Sequence, residues 1–68
     1  DDLLIQAIIL KFFHDKQINV APDVINFILK RINRNFTEIS LFLSNLNDLS
    51  IKHKSKISIP FLNRFFAF

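Results

Sequence analysis

Residues 23–49, DVINFILKRINRNFTEISLFLSNLNDL, decide the fold of this chain. They are typical of two amphipathic helices that meet at a short joint over residues 33–35. In the second of these helices, apolar side chains recur at intervals of three and four, which places them on one face: Ile39, Phe42, Leu43, Leu46 and Leu49. Asn35 and Glu38 have the spacing of a capping box, in which each side chain binds a main-chain amide at the helix start. We therefore predict that the chain bends at the joint and does not continue as one helix.

Another helix is predicted before this pair. Asp2 is its expected N-cap, and the helix should reach roughly to Lys16. Apolar residues cover most of its circumference, so we expect it to be buried on more than one side. Residues 17–21 are expected to form an extended connection in which Ile18 and Val20 hold the chain against the core.

The later boundaries follow from proline, serine and charge. Pro22 suits the first position of the second helix, and the third helix is expected to run from about Phe36 to His53. Ser58 is the expected cap of a brief last helix. That helix carries Phe61, Leu62, Phe65, Phe66 and Phe68. The sequence thus predicts an all-α bundle of three main helices plus a short C-terminal helix, forming a single domain over residues 1–68.

The composition of the 68 residues excludes several classes of function. There is no Cys, which removes disulfides and thiolate metal sites, and no Gly, which removes the phosphate-binding loops that depend on it. No apolar run approaches the length of about 20 residues that spans a bilayer. Half of the residues are hydrophobic and nine are Phe, more than a bundle of this size can bury. This surplus predicts a partner surface, either an adjoining domain or a second copy of the chain.

The polar residues do not form a catalytic or metal-binding pattern. His14 and His53 each stand near a helix end with no further ligand at a useful spacing, so we expect both to face solvent and no metal to bind. Nothing resembles a nucleophile and its base, and we expect no enzymatic activity from the chain by itself. The formal charge is +3, yet Glu38 stands where a helix-turn-helix DNA reader would need donors. We therefore do not expect direct specific DNA binding.

Several segments carry a family resemblance. They are Asp23–Val24, the run Phe27–Ile32, Arg34–Phe36, Leu43 through Leu46, Leu49–Ile51 and the closing run Lys56–Leu62. At these separations they resemble the small helical lid of DnaA-type AAA+ proteins, with the closest likeness to the Hda-like, DnaA-related regulators of replication initiation. The likeness covers essentially the whole chain, and its most distinctive parts are the KRI joint and the KISIPF closing element.

This resemblance implies a context for the chain. An AAA+ ATPase domain would precede residue 1, and the lid would help to close a nucleotide pocket that holds ADP or ATP and would pack against a neighbouring subunit. The whole protein would act in the bacterial cytoplasm with the DNA-loaded sliding clamp to promote ATP hydrolysis by DnaA. The clamp-binding motif of such proteins lies near their N-terminus, outside these residues.

One residue departs from the family pattern. The family commonly has an arginine, called sensor 2, in the first turn of the third lid helix, where it reaches the nucleotide phosphates. The matching residue here is Thr37, which lacks the cationic fork that suits phosphate. Arg34, three residues earlier, is the candidate nucleotide-binding residue in its place. The alternative for Arg34 is that it only caps the second helix.

A different class of function competes with the lid. The chain would then be a free-standing small basic helical module that binds DNA or another protein, and its likeness to the lid would be coincidental. A G-x-x-x-x-G-K-[ST] motif upstream of residue 1 would favour the lid. If the isolated domain shows no salt-dependent shift with duplex DNA even at low salt, the DNA-binding alternative is excluded.

Overall fold

Four α-helices follow one another in this computed structural model, which describes residues 2–66. They are α1 (Asp2–Asp15), α2 (Pro22–Arg31), α3 (Phe36–His53) and α4 (Ile59–Phe65). No strand occurs within residues 2–66. The predicted all-α bundle of three main helices plus a short fourth is therefore confirmed.

All four helices contribute to a single apolar core. The fully buried side chains are Ile9, Ile28, Ile39, Leu46 and Leu62. The apolar stripe predicted on α3 faces this core, where Ile39, Leu43 and Leu46 are buried and Phe42 and Leu49 are partly buried. Ile18 and Val20 pack against the core from the connection between α1 and α2, as predicted. No described polar or charged side chain is buried, so burial of apolar surface holds the bundle together.

The prediction that α1 is buried on more than one side is wrong for the described residues. Only one stripe of α1 is buried, and its members stand four residues apart: Ile5, Ile9 and Phe13. Leu3, Leu4 and Leu10 are 76%, 51% and 46% exposed. The other helices cover only one side of α1, and the remaining apolar residues form an outer face. We call Leu3, Leu4, Ala7 and Leu10 the outer face of α1.

Two helices end with residues in the left-handed conformation, which glycine normally supplies. Gln17 has φ of 56° and Lys54 has φ of 52°. After α1, the main-chain amide of Gln17 donates to His14 and that of Ile18 donates to Phe13, at 3.0 and 2.8 Å. These two hydrogen bonds form a Schellman motif. The helix therefore ends at Asp15 rather than Lys16, and Gln17 turns the chain where an extended residue was predicted.

The predicted caps are correct in part. The side-chain oxygen of Asn35 accepts hydrogen bonds from the amides of Thr37 and Glu38, at 2.8 and 3.2 Å. The reciprocal half of the capping box is absent, because the amide of Asn35 donates to the side chain of Asn33 at 3.0 Å rather than to Glu38. Asn33 is closer in sequence and already sits in the joint, so it satisfies this amide first.

The start of α1 and the end of α4 differ from the prediction, whereas the start of α4 agrees with it. Asp2 is the first residue of α1 rather than its N-cap, and its carboxylate there favours the positive end of the helix dipole. Ser58 caps α4 as predicted, by accepting a hydrogen bond from the amide of Phe61 at 3.2 Å. Phe66 lies just after α4 rather than within it, while Phe68 lies outside the described residues.

Candidate functional site

The joint between α2 and α3 is exposed and is ordered by short hydrogen bonds. Ile32 is extended, and its amide donates to the carbonyl of Ile28 at 2.8 Å, which ends α2. Ile32 is also buried, so the joint is fixed to the core on one side. Residues 33–38 are all exposed on the other side. The joint therefore presents a short, well-defined stretch of polar side chains to whatever adjoins this surface.

Arg34 projects from this joint and binds the beginning of α1. Its Nη2 atom lies 2.9 Å from Oδ1 of Asp2. The side chains remain 46% and 77% exposed, so both retain contact with solvent. Arg34 is thus directed to Asp2. A different guanidinium, that of Arg31, donates to a carbonyl of α2, that of Phe27, at 3.3 Å. The joint and the first turn of α1 form one polar surface.

Thr37 lies close to Arg34 along the chain, in the first turn of α3. Its amide is held by Asn35, and its side chain is exposed. The first turn of α3 therefore carries no cation, and Glu38 adds a negative charge beside it. Within residues 33–38, Arg34 is the one cationic side chain. Its predicted contact with a nucleotide phosphate stays a prediction.

A second polar site lies at the opposite end of α3, and the sequence interpretation did not find it. A cleft of about 380 Å³ between the end of α3 and α4 is lined by three basic side chains, His53, Lys56 and Arg64, together with Ser55 and Ser58. His53 is exposed, as expected, but its ring also packs on that of Phe65, with centroids 4.6 Å apart. Spacing along α3 does not predict this cluster, since Arg64 arrives from another helix.

An apolar groove of about 400 Å³ runs along α1 and α3. Ile8, Phe12 and Leu43 line it, and an ion pair of 3.2 Å between Lys11 and Asp15 stands at its edge. Within residues 2–66, no group of three or more His, Asp or Glu side chains is placed to hold a metal ion. No helix in the same range is long and apolar enough to cross a membrane.

Comparison with known proteins gives one family match. The family model described as "Hda, lid domain" matches residues 2–66. No curated protein and no solved structure gives a match. The family model covers nearly the whole chain, including all four helices. The chain therefore belongs to the Hda lid family, the helical lids of DnaA-related regulators of replication initiation.

Proposed function

We propose that this chain is the lid of a Hda-like AAA+ protein that acts with the sliding clamp to promote hydrolysis of ATP bound to DnaA. The observation that carries this proposal is the family match over residues 2–66. The lid has no catalytic role of its own in this proposal. It helps to close a nucleotide pocket built by an ATPase domain that precedes residue 1, and it contributes to subunit packing in the cytoplasm.

Two surfaces support the proposed contact with an ATPase domain. The outer face of α1 leaves large aliphatic side chains about half exposed or more, including Leu4 and Leu10. Burial of such side chains against a neighbouring domain is favourable by about 25 cal/mol for each Å² of apolar surface removed from water. Arg34 stands beside the start of the same helix because of its ion pair with Asp2. The ion pair thus holds a cation at the N-terminal end of the helix that carries this apolar face.

The proposal is tested with the full-length protein that contains this chain. DnaA loaded with radiolabelled ATP is mixed with the clamp on DNA, and conversion to ADP is followed by thin-layer chromatography. We expect the full-length protein to accelerate conversion only when the loaded clamp is present. The variant Leu4→Gln, Leu10→Gln should lose most of this acceleration, because polar side chains on the outer face of α1 weaken packing on the ATPase domain.

A matched control changes exposed apolar residues on another helix. Leu41 and Ile51 of α3 are 54% and 66% exposed, close to the values for Leu4 and Leu10. The variant Leu41→Gln, Ile51→Gln should retain the acceleration. If the unaltered protein fails to stimulate hydrolysis with the loaded clamp, the proposed function is wrong. If both variants lose activity equally, the outer face of α1 is not the docking surface.

A further inference from the structure

Positive charge is concentrated in the last part of the chain. Residues 49–68 contain four Lys or Arg and no Asp or Glu. Residues 1–48 contain five Lys or Arg and six Asp or Glu. The excess charge of the whole chain therefore comes from this segment. The fold brings His53, Lys56 and Arg64 to one cleft at the end of α3 and α4. We call this the basic cleft.

The helix dipole does not account for the whole of this cluster. Lys52 stands in the last turn of α3, where a cation is favoured by the carbonyl end of the dipole. Lys54 and Lys56, however, lie beyond the helix. The ion pairs found within residues 2–66 use the carboxylates of Asp2 and Asp15 and lie elsewhere in the bundle. Among residues 2–66, no Asp or Glu lines the basic cleft.

Ring contacts and hydrogen bonds order part of the cleft, although none of them involves the Lys56 side chain. His53 and Phe65 are inclined at 31° to each other, and the guanidinium carbon of Arg64 lies 5.0 Å from the centre of the Phe65 ring. At the corner after α3, the hydroxyl of Ser50 donates to the carbonyl of Ser55 at 3.0 Å. The hydroxyl of Ser55 in turn donates to the carbonyl of His53 at 3.1 Å. The corner between His53 and Lys56 is thus ordered before any ligand arrives, which lowers the entropic cost of binding.

We propose that the basic cleft binds the phosphodiester backbone of nucleic acid without reading its sequence. Cations that lack acidic neighbours and stay exposed suit a polymer of phosphates, because each contact releases a condensed counterion. The described residues that line the cleft include no Asn or Gln, the usual readers of adenine edges. The cleft lies at the opposite end of α3 from Arg34, so this inference is independent of the proposed nucleotide contact.

The test is a fluorescence anisotropy titration of the full 68-residue chain with a labelled duplex of mixed sequence, over salt concentrations from about 50 to 200 mM. We expect saturable binding that weakens steeply with salt and is the same for a second, unrelated sequence. The variant Lys56→Gln, Arg64→Gln should bind more weakly and should reduce the slope of log K against log salt by about 2, since each lost phosphate contact removes about one unit.

The matched control is Lys16→Gln, Lys30→Gln, which removes the same net charge from exposed sites outside the basic cleft. It should leave the slope nearly unchanged. The exchange Lys56→Arg, Arg64→Lys keeps both charges and should retain binding, while circular dichroism confirms that each variant is folded. The proposal is overturned if no binding occurs at the lowest salt or if the two charge-removing variants lose affinity equally. Binding of a fluorescent ATP analogue that duplex DNA fails to displace would also overturn it, by assigning the cleft to a mononucleotide.

Discussion

At the scale of single residues, Arg34 is the side chain proposed to contact the phosphates of a nucleotide. It lies three residues before Thr37, in an exposed ion pair with Asp2. Exposed ion pairs of this kind contribute less than about 1 kcal/mol, so an incoming phosphate can replace Asp2 at small cost. The guanidinium is also suited to phosphate, because it binds two oxygens at once.

We predict that Arg34→Ala in the full-length protein weakens ADP binding about tenfold or more, since a hydrogen bond to a charged group contributes about 1.5 to 3 kcal/mol. Isothermal titration calorimetry measures this affinity. Asp2→Asn is the control, because it breaks the same ion pair while keeping the cation, and it should leave ADP affinity unchanged or slightly higher. An unaltered affinity in Arg34→Ala would contradict the assignment.

The sequence predicted the position of Arg34 but not its partner. The joint over residues 33–35 follows from local signals, namely the end of one apolar period and the cap at Asn35. The contact with Asp2 joins residues that stand far apart in the chain, and nothing in their spacing indicates it. The same reason explains why the basic cleft was missed, since Arg64 reaches His53 only after α4 folds back on the end of α3.

At the scale of helices, the two corners after α1 and α3 are unusual because the chain has no glycine. Gln17 and Lys54 adopt positive φ in its place. A residue with a Cβ atom in this conformation carries a steric cost of roughly 1 kcal/mol. The bounds of α1 and α3 and the start of α2 were predicted to within one residue from caps and periodicity. The end of α4 was not, since it stops at Phe65, and neither were these corners, because no glycine marked them.

We predict that Gln17→Gly raises the free energy of unfolding by up to about 1 kcal/mol, because glycine adopts positive φ without the Cβ clash. Urea denaturation followed by circular dichroism measures the change. Asn19→Gly is the matched control, since Asn19 is exposed in the same connection and has no positive φ. That substitution should lower stability, because it only adds freedom to the unfolded chain. If Gln17→Gly lowers the free energy of unfolding, the prediction is wrong. The Gln17 side chain would then stabilise the fold by more than its positive φ costs.

At the scale of the whole molecule, the bundle leaves several large apolar side chains exposed to solvent. The composition predicted this surplus, and the structure places much of it on the outer face of α1. The sequence did not indicate which face would remain open, because α1 is apolar around most of its circumference. Only the arrangement of α2, α3 and α4 selects the stripe that contains Ile9 for the core.

We predict that the isolated 68-residue chain self-associates through this face. Sedimentation velocity should give a weight-average sedimentation coefficient that rises with protein concentration, because association removes apolar surface from water. Leu4→Gln, Leu10→Gln should shift the distribution towards the monomer, and Leu41→Gln, Ile51→Gln should shift it less. A chain that sediments as a monomer at high concentration would contradict this account of the surplus.

The length of α3 gives the molecule a fixed spacing between its two polar ends. Its 18 residues separate the joint that carries Arg34 from the corner that leads to Lys56. At 1.5 Å per residue this distance is about 27 Å, close to the rise of eight base pairs of duplex DNA. A phosphate at the joint and a nucleic acid backbone at the basic cleft would therefore be bound together without touching. The length of α3 would then set the distance between the nucleotide at the joint and the nucleic acid strand at the basic cleft.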